Sequence, residues 1–268
     1  MRYLLLPALL AIALPLPAAD TLFPLPSVPD VTDGDGLTIA VGAGIEYEAE
    51  YDGSDDYGAE FEPAAIIQWR RGDHVWFLEG AELGWRSRMA DLWLLQAGLR
   101  YEGGREESDA PELAGLGDTD DELVAMAEVR RALGRDWRNW GAARVMVGGS
   151  DIGALGVFAL GRTLGAREPG MGIDVFAFIT VASSDFINRD FGITPEQSEN
   201  SGLPVTDLDG GYRSFGVQAV GRWRFGERDR WQLRAEAGYE KYNGDISDSP
   251  ITIDDYEAEV GVSLLYRF

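Results

Sequence analysis

From Tyr256 to Phe268 the chain alternates almost without fault. Tyr256, Ala258, Val260, Val262, Leu264, Tyr266 and Phe268 fall on one face. Glu257, Glu259, Gly261, Ser263, Leu265 and Arg267 fall on the other. A period of two sustained this long predicts a β-strand with one apolar and one polar face. The fold then turns on which solvent the apolar face meets. If it meets lipid, the polar face lines the inside of a closed sheet.

The pattern recurs along the chain. Leu37, Ile39, Val41, Ala43, Ile45, Tyr47, Ala49 and Tyr51 oppose Thr38, Gly42, Gly44, Glu46, Glu48 and Glu50. Three carboxylates on one face exclude lipid or a dry core on that side. Further strands are predicted at 61–70, 75–85, 93–101, 122–133, 137–147, 153–164, 171–181, 214–225 and 231–240. The 122–133 segment also has a helical reading. Tight connections at 71–73, 134–136 and 226–229 contrast with long acidic ones at 52–60, 103–121, 183–211 and 242–254. Short turns on one rim and long loops on the other predict an outer-membrane barrel. Eleven strands are countable and a single-chain barrel needs an even number. One is hidden, in 72–90 or in the lead-in. The expectation is therefore an all-β antiparallel transmembrane β-barrel of 12 strands, with 10 as the alternative. It comprises residues 37–268 and is closed by the strand ending in Phe268.

The other end agrees. Arg2, the apolar run Leu4 to Leu16, and Ala18-Ala19 predict a cleaved signal peptide over 1–19. An irregular lead-in follows over 20–36. The chain has no Cys, which excludes a lipoprotein anchor, disulfides and thiolate chemistry. With 46 acidic against 23 basic residues and a net charge of −23, nucleic acid is excluded as a partner. The expected location is the outer membrane of a Gram-negative bacterium, among lipid and lipopolysaccharide.

Aromatics cluster at the strand ends: Tyr51, Trp69, Trp85, Tyr101, Trp137, Tyr212, Trp223, Phe225, Trp231, Tyr239, Tyr242, Tyr256, Tyr266 and Phe268. They predict two interfacial girdles. No catalytic site is expected. His74 is the only histidine and abuts a tight turn, so it reads as an exposed turn residue. No cofactor or metal site is assigned, although the loop acids leave Ca²⁺ or Mg²⁺ binding open. Glu46, Glu48, Glu50, Glu236, Glu240, Glu257 and Glu259 are expected in the lumen with Arg222, Arg224, Arg234 and Arg267. Such charges either select ions in a narrow pore or pair across neighbouring strands and plug it, and a barrel this narrow favours the plug.

Two sets of residues carry a family resemblance. The terminal Tyr266 and Phe268 resemble the C-terminal signal that the barrel-assembly machinery reads. The stretches Asp190-Phe191-Gly192, Ser201-Gly202-Leu203 and Asp248-Ser249-Pro250 come in an order and spacing that resemble the MltA-interacting protein/OmpV (MipA/OmpV) family. Tyr47, Tyr51, Gly53 and Pro63 near the front, and Gly115-Leu116-Gly117-Asp118 in the middle, fit the same pattern. The resemblance implies a non-enzymatic scaffold that links a lytic transglycosylase and a penicillin-binding protein to the cell envelope. A narrow channel, or an adhesin acting through the acidic loops, is the alternative.

Overall fold

The computed structural model describes residues 34–149, 152–165 and 171–268. The expected signal peptide and most of the lead-in lie outside the described residues. Twelve antiparallel strands close into one barrel, each paired with its sequence neighbours and the first with the last. They are β1 (Gly36–Ala49), β2 (Tyr57–Arg71), β3 (His74–Glu79), β4 (Glu82–Met89), β5 (Trp93–Glu102), β6 (Glu122–Ala132), β7 (Asn139–Val147), β8 (Ala154–Leu164), β9 (Met171–Ala182), β10 (Gly211–Phe225), β11 (Trp231–Tyr242) and β12 (Tyr256–Arg267). The seam between β1 and β12 runs from Ala40↔Arg267 to Tyr47↔Val260. The Phe268 N–H extends it by donating to the Ile39 carbonyl at 3.0 Å.

The hidden strand lies in 72–90. The single strand expected over 75–85 is a hairpin, β3 and β4, turning at Gly80-Ala81. Its strands have 6 and 8 residues against 15 in β2. The wall is therefore low beside the upper part of β2. Pro63, which cannot donate to a ladder, sits on that stretch, where β3 no longer pairs with β2. The ambiguous 122–133 segment is a strand. The connection expected over 52–60 is shorter, because β2 begins at Tyr57.

The exterior carries the apolar face of every strand. Leu37, Val41, Ile45, Leu83, Leu99, Leu160, Ile179, Val217 and Val262 are all exposed there. Aromatics border this belt at both ends. Trp69 stacks on Trp76 (4.8 Å) and Trp231 meets Tyr266 edge-on (5.0 Å) toward the short-turn rim. Tyr47 stacks on Tyr57 (5.7 Å) and Tyr239 on Tyr256 (5.9 Å) toward the long-loop rim. Three residues expected in the girdles are instead buried: Tyr51, Trp137 and Tyr242. Tyr51 lies beyond the end of β1 and folds inward, donating its hydroxyl to the Ile251 carbonyl at 3.1 Å.

The lumen is a core. Met126, Trp140, Met146, Val157, Phe176, Phe178 and Val220 fill its β6–β10 side. Trp140 fits because Gly161 faces it: a Cβ there would lie 2.2 Å from the indole. The guanidinium of Arg130 covers the other side of that ring, 4.5 Å from its centroid.

Candidate functional site

The expected loop over 183–211 is largely helical. Ser183 caps α1 (Ser184–Phe191), and Thr194 caps α2 (Pro195–Ser201) with a capping box to Gln197. Gly202 ends α2 in the left-handed region (φ 78°), which an L side chain adopts only with strain. A third short helix, α3 (Gly244–Ser247), begins the β11–β12 loop. α1 lays Phe186, Ile187 and Phe191 onto the lumenal core, and Phe191 is fully buried. A second apolar cluster knits the long loops together: Tyr51, Ala110, Leu113, Leu116, Ile193 and Ile251, with Leu203 against it.

The residues that carry the family resemblance meet in this cap. The buried Ser249 hydroxyl donates to the Phe191 carbonyl at 2.7 Å, across 58 residues. Phe191 meets the Tyr242 ring edge-on at 5.0 Å. The Asp190 carbonyl accepts from Arg105 Nη1 at 2.8 Å. Gly192 closes α1, where a Cβ would lie 2.5 Å from the Asn188 carbonyl oxygen. Ser201 turns its hydroxyl back to the Gln197 carbonyl (2.7 Å), and Asp248 closes α3. Pro250 is half-buried beside Ser249. None of these contacts arranges a nucleophile with a base; they fasten a lid. Burial pushes the Asp190 carboxyl up to about 6, with the Asp52 carboxylate adding to the rise and Arg189, Arg213 and Arg105 opposing it.

Arg213 is the residue that sequence reasoning missed. Register shifts between Tyr212 and Ser214, and this bulge turns both Arg213 and Ser214 inward. Arg213 donates to Asp52 and to Glu240, both at 2.6 Å, and its guanidinium lies 5.0 Å from the Tyr242 ring centroid. The Tyr242 hydroxyl donates to Glu257 at 2.6 Å. One buried cation thus ties the first loop, α1 and the last hairpin to the mouth. The break in alternation at Arg213-Ser214 was the available signal.

Below the cap the lumenal charges divide into two sets. On β3–β7 they are paired. Arg144 reaches both Glu82 and Glu128 at 2.7 Å, Arg130 meets Glu128 at 2.9 Å, and Arg86 pairs with Glu79. On the seam side, β1, β2, β11 and β12 bring Glu46, Glu48, Glu62, Glu236 and Glu259 together. There Arg234 pairs with Glu236 at 2.9 Å, and Gln218 donates to Glu259 at 2.6 Å. Glu46, Glu48 and Glu259 each place one carboxylate oxygen within 4.8 Å of the others. Glu50, expected in the lumen, lies past the end of β1 with its carboxylate beside Gly58. His74 is exposed on the outer wall, stacked on Trp85 at 5.8 Å, apart from all these carboxylates.

No curated protein matches this sequence. Among solved structures, the fold is similar to an outer-membrane channel from Pseudomonas putida F1. The identity is 11%, the TM-score is 0.44, and 88% of this chain and 97% of that one are covered. It is also similar to a bacterial polysaccharide outer-membrane secretin (12%, TM-score 0.46, 87% and 99% covered). At these scores neither likeness bears on function. The family model for the MltA-interacting protein MipA matches residues 41–268, from the first strand to the last residue. The chain, a closed barrel with a lipid-facing apolar belt, therefore belongs to the MltA-interacting protein MipA family and resides in the bacterial outer membrane.

Proposed function

We propose that the barrel is a non-enzymatic envelope scaffold whose short-turn rim, facing the periplasm, holds a murein-processing partner by an acidic docking face. The observation that carries this reading is the gathering of exposed arginines at one rim. The chain has a net charge of −23. At or near the short turns Arg71, Arg131, Arg135, Arg138, Arg162 and Arg228 are exposed, interleaved with the exposed acids Asp35, Asp73, Asp91, Asp136, Glu227 and Asp229. The long-loop rim instead carries Asp55, Asp56, Glu106, Glu107, Asp118 and Asp120. Of the two rims the mixed one is the less acidic, and its arginines offer an anionic partner the contacts that the long-loop rim withholds. The family name points to MltA, in keeping with a lytic transglycosylase as that partner; a penicillin-binding protein is the second candidate. The exposed Phe268 and the half-buried Tyr266, which meets Trp231 at the same rim, serve assembly by the barrel-assembly machinery. The packed lumen weighs against the channel alternative.

The test is affinity capture of the tagged protein from gently cross-linked cells, with an unrelated tagged barrel as control. Specific enrichment of a lytic transglycosylase is expected, and Arg135→Glu with Arg138→Glu should abolish it while the barrel stays folded. Equal recovery with the control barrel, or capture untouched by the charge reversal, sinks the reading.

A further inference from the structure

We propose that Glu46, Glu48 and Glu259 hold a divalent cation of the hard, oxygen-seeking kind, which bridges the first and last strands on the lumenal side of the closing seam. Glu46 is 2% exposed, and both of its carboxylate oxygens are buried without a hydrogen-bond partner. A buried charge left in that state is costly unless an opposite charge answers it. Arg234 pairs with Glu236 and gives Glu46 no hydrogen bond.

The seam geometry gathers the ligands. Glu46 stands opposite Gly261, and Glu48 lies one step beyond the Tyr47↔Val260 pair, toward Glu259. Gly261 supplies the space. A Cβ there would lie 3.4 Å from Glu46 Oε1 and 3.3 Å from Glu236 Oε1, so both carboxylates lean over a position with no side chain. Oxygens bound to one Ca²⁺ at about 2.3–2.6 Å are at most about 5 Å apart. The 4.8 Å limit on the three carboxylate oxygens meets that requirement. A cavity of about 60 Å³ adjoins Glu46 and Gly261, and Glu62 and Glu236 also line it. Water occupies about 30 Å³ per molecule in the liquid, so the cavity has room for further oxygen ligands. The site differs from the loop acids that sequence reasoning left open: it is inside the wall and spans its closure.

The experiment uses the full-length mature barrel, folded in detergent and freed of metal by a chelator. Calcium alone is the probe, titrated by equilibrium dialysis. One ion per barrel is expected, and Glu46→Gln should weaken its binding by about tenfold or more. Asp55→Asn, an exposed loop acid, should leave binding unchanged. Calcium should also raise the unfolding temperature of the native barrel and not that of Glu46→Gln. In chelator Glu46→Gln should be the more stable protein, because it removes like-charge repulsion; Glu259→Gln provides a second variant should the first fail to fold. A native barrel without saturable calcium binding, or equal affinity in Glu46→Gln, would show that shared protons neutralise the cluster and would overturn the proposal.

Discussion

The two sides of the lumen use the same residue type for opposite ends. On β3–β7 the buried inward glutamates are met by arginine: Glu79 by Arg86, Glu82 by Arg144 and Arg100, and Glu128 by Arg130 and Arg144. On the seam side five glutamates converge on β1, β2, β11 and β12, and Glu46 is left with no hydrogen bond at all. An inward glutamate is therefore neither a lock nor a ligand by itself. Its neighbours on adjoining strands decide, and they are chosen by register. The first side is a finished structural element. The second is unfinished electrostatically, which is where binding is to be sought.

The comparison breaks most visibly at Arg144. It serves two buried carboxylates, and its side chain is almost wholly buried. Removing one partner of a buried pair strands the other charge, at a cost of about 3–5 kcal/mol. Arg144→Met should fall in that range, read as a lower denaturant midpoint for loss of the heat-modifiable folded band. An unchanged midpoint would mean that Arg100 and Arg130 already neutralise Glu82 and Glu128. On the seam side the corresponding deletion, Glu46→Gln, is expected to act in the opposite direction. Next in size is the cap. Phe191→Ala removes a fully buried ring that links α1 to Tyr242, a change that costs about 3 kcal/mol in a packed core. Its effect should be local, with proteolysis between α1 and α2 while the barrel band survives. Cap and barrel failing together would show that they form one cooperative unit.

The strands were legible because a period of two survives in a single sequence, as in β12 and β1. The β3–β4 hairpin was not. Six residues are few for a periodic signal, and Gly80-Ala81 is a lone glycine without the Asn-Gly or Asp-Gly pair that announces a tight hairpin. The motif residues Asp190, Phe191 and Ser249 could be picked out, but not their meeting, since Phe191 and Ser249 are 58 residues apart. Lumenal pairing was illegible for the same reason. Arg144 reaches Glu82 across 62 positions and three intervening strand pairings, and only register decides that they touch. Tyr51 and Tyr242 were misplaced because an aromatic at a strand end packs onto a cap as readily as it anchors in an interface.

The smallest effect sharpens the contrast between lid and wall, because it depends on pH. Asp190 sits at the end of α1, with its carboxyl raised from 3.8 to about 6 by burial first and Asp52 second. A carboxyl raised on folding binds its proton more tightly in the folded state. Its contribution is present in full below the unfolded value and is lost as pH rises through about 6. The cap should therefore be tighter near pH 5 than at pH 8, by about 1 kcal/mol. Amide exchange in α1, corrected for intrinsic rates, should slow accordingly on acidification. Asp190→Asn keeps the shape and cannot ionise, so it should hold the slow exchange at both pH values. A cap whose exchange ignores pH in the native protein, or responds equally in Asp190→Asn, would place the proton elsewhere and leave Arg213 alone in charge of the mouth.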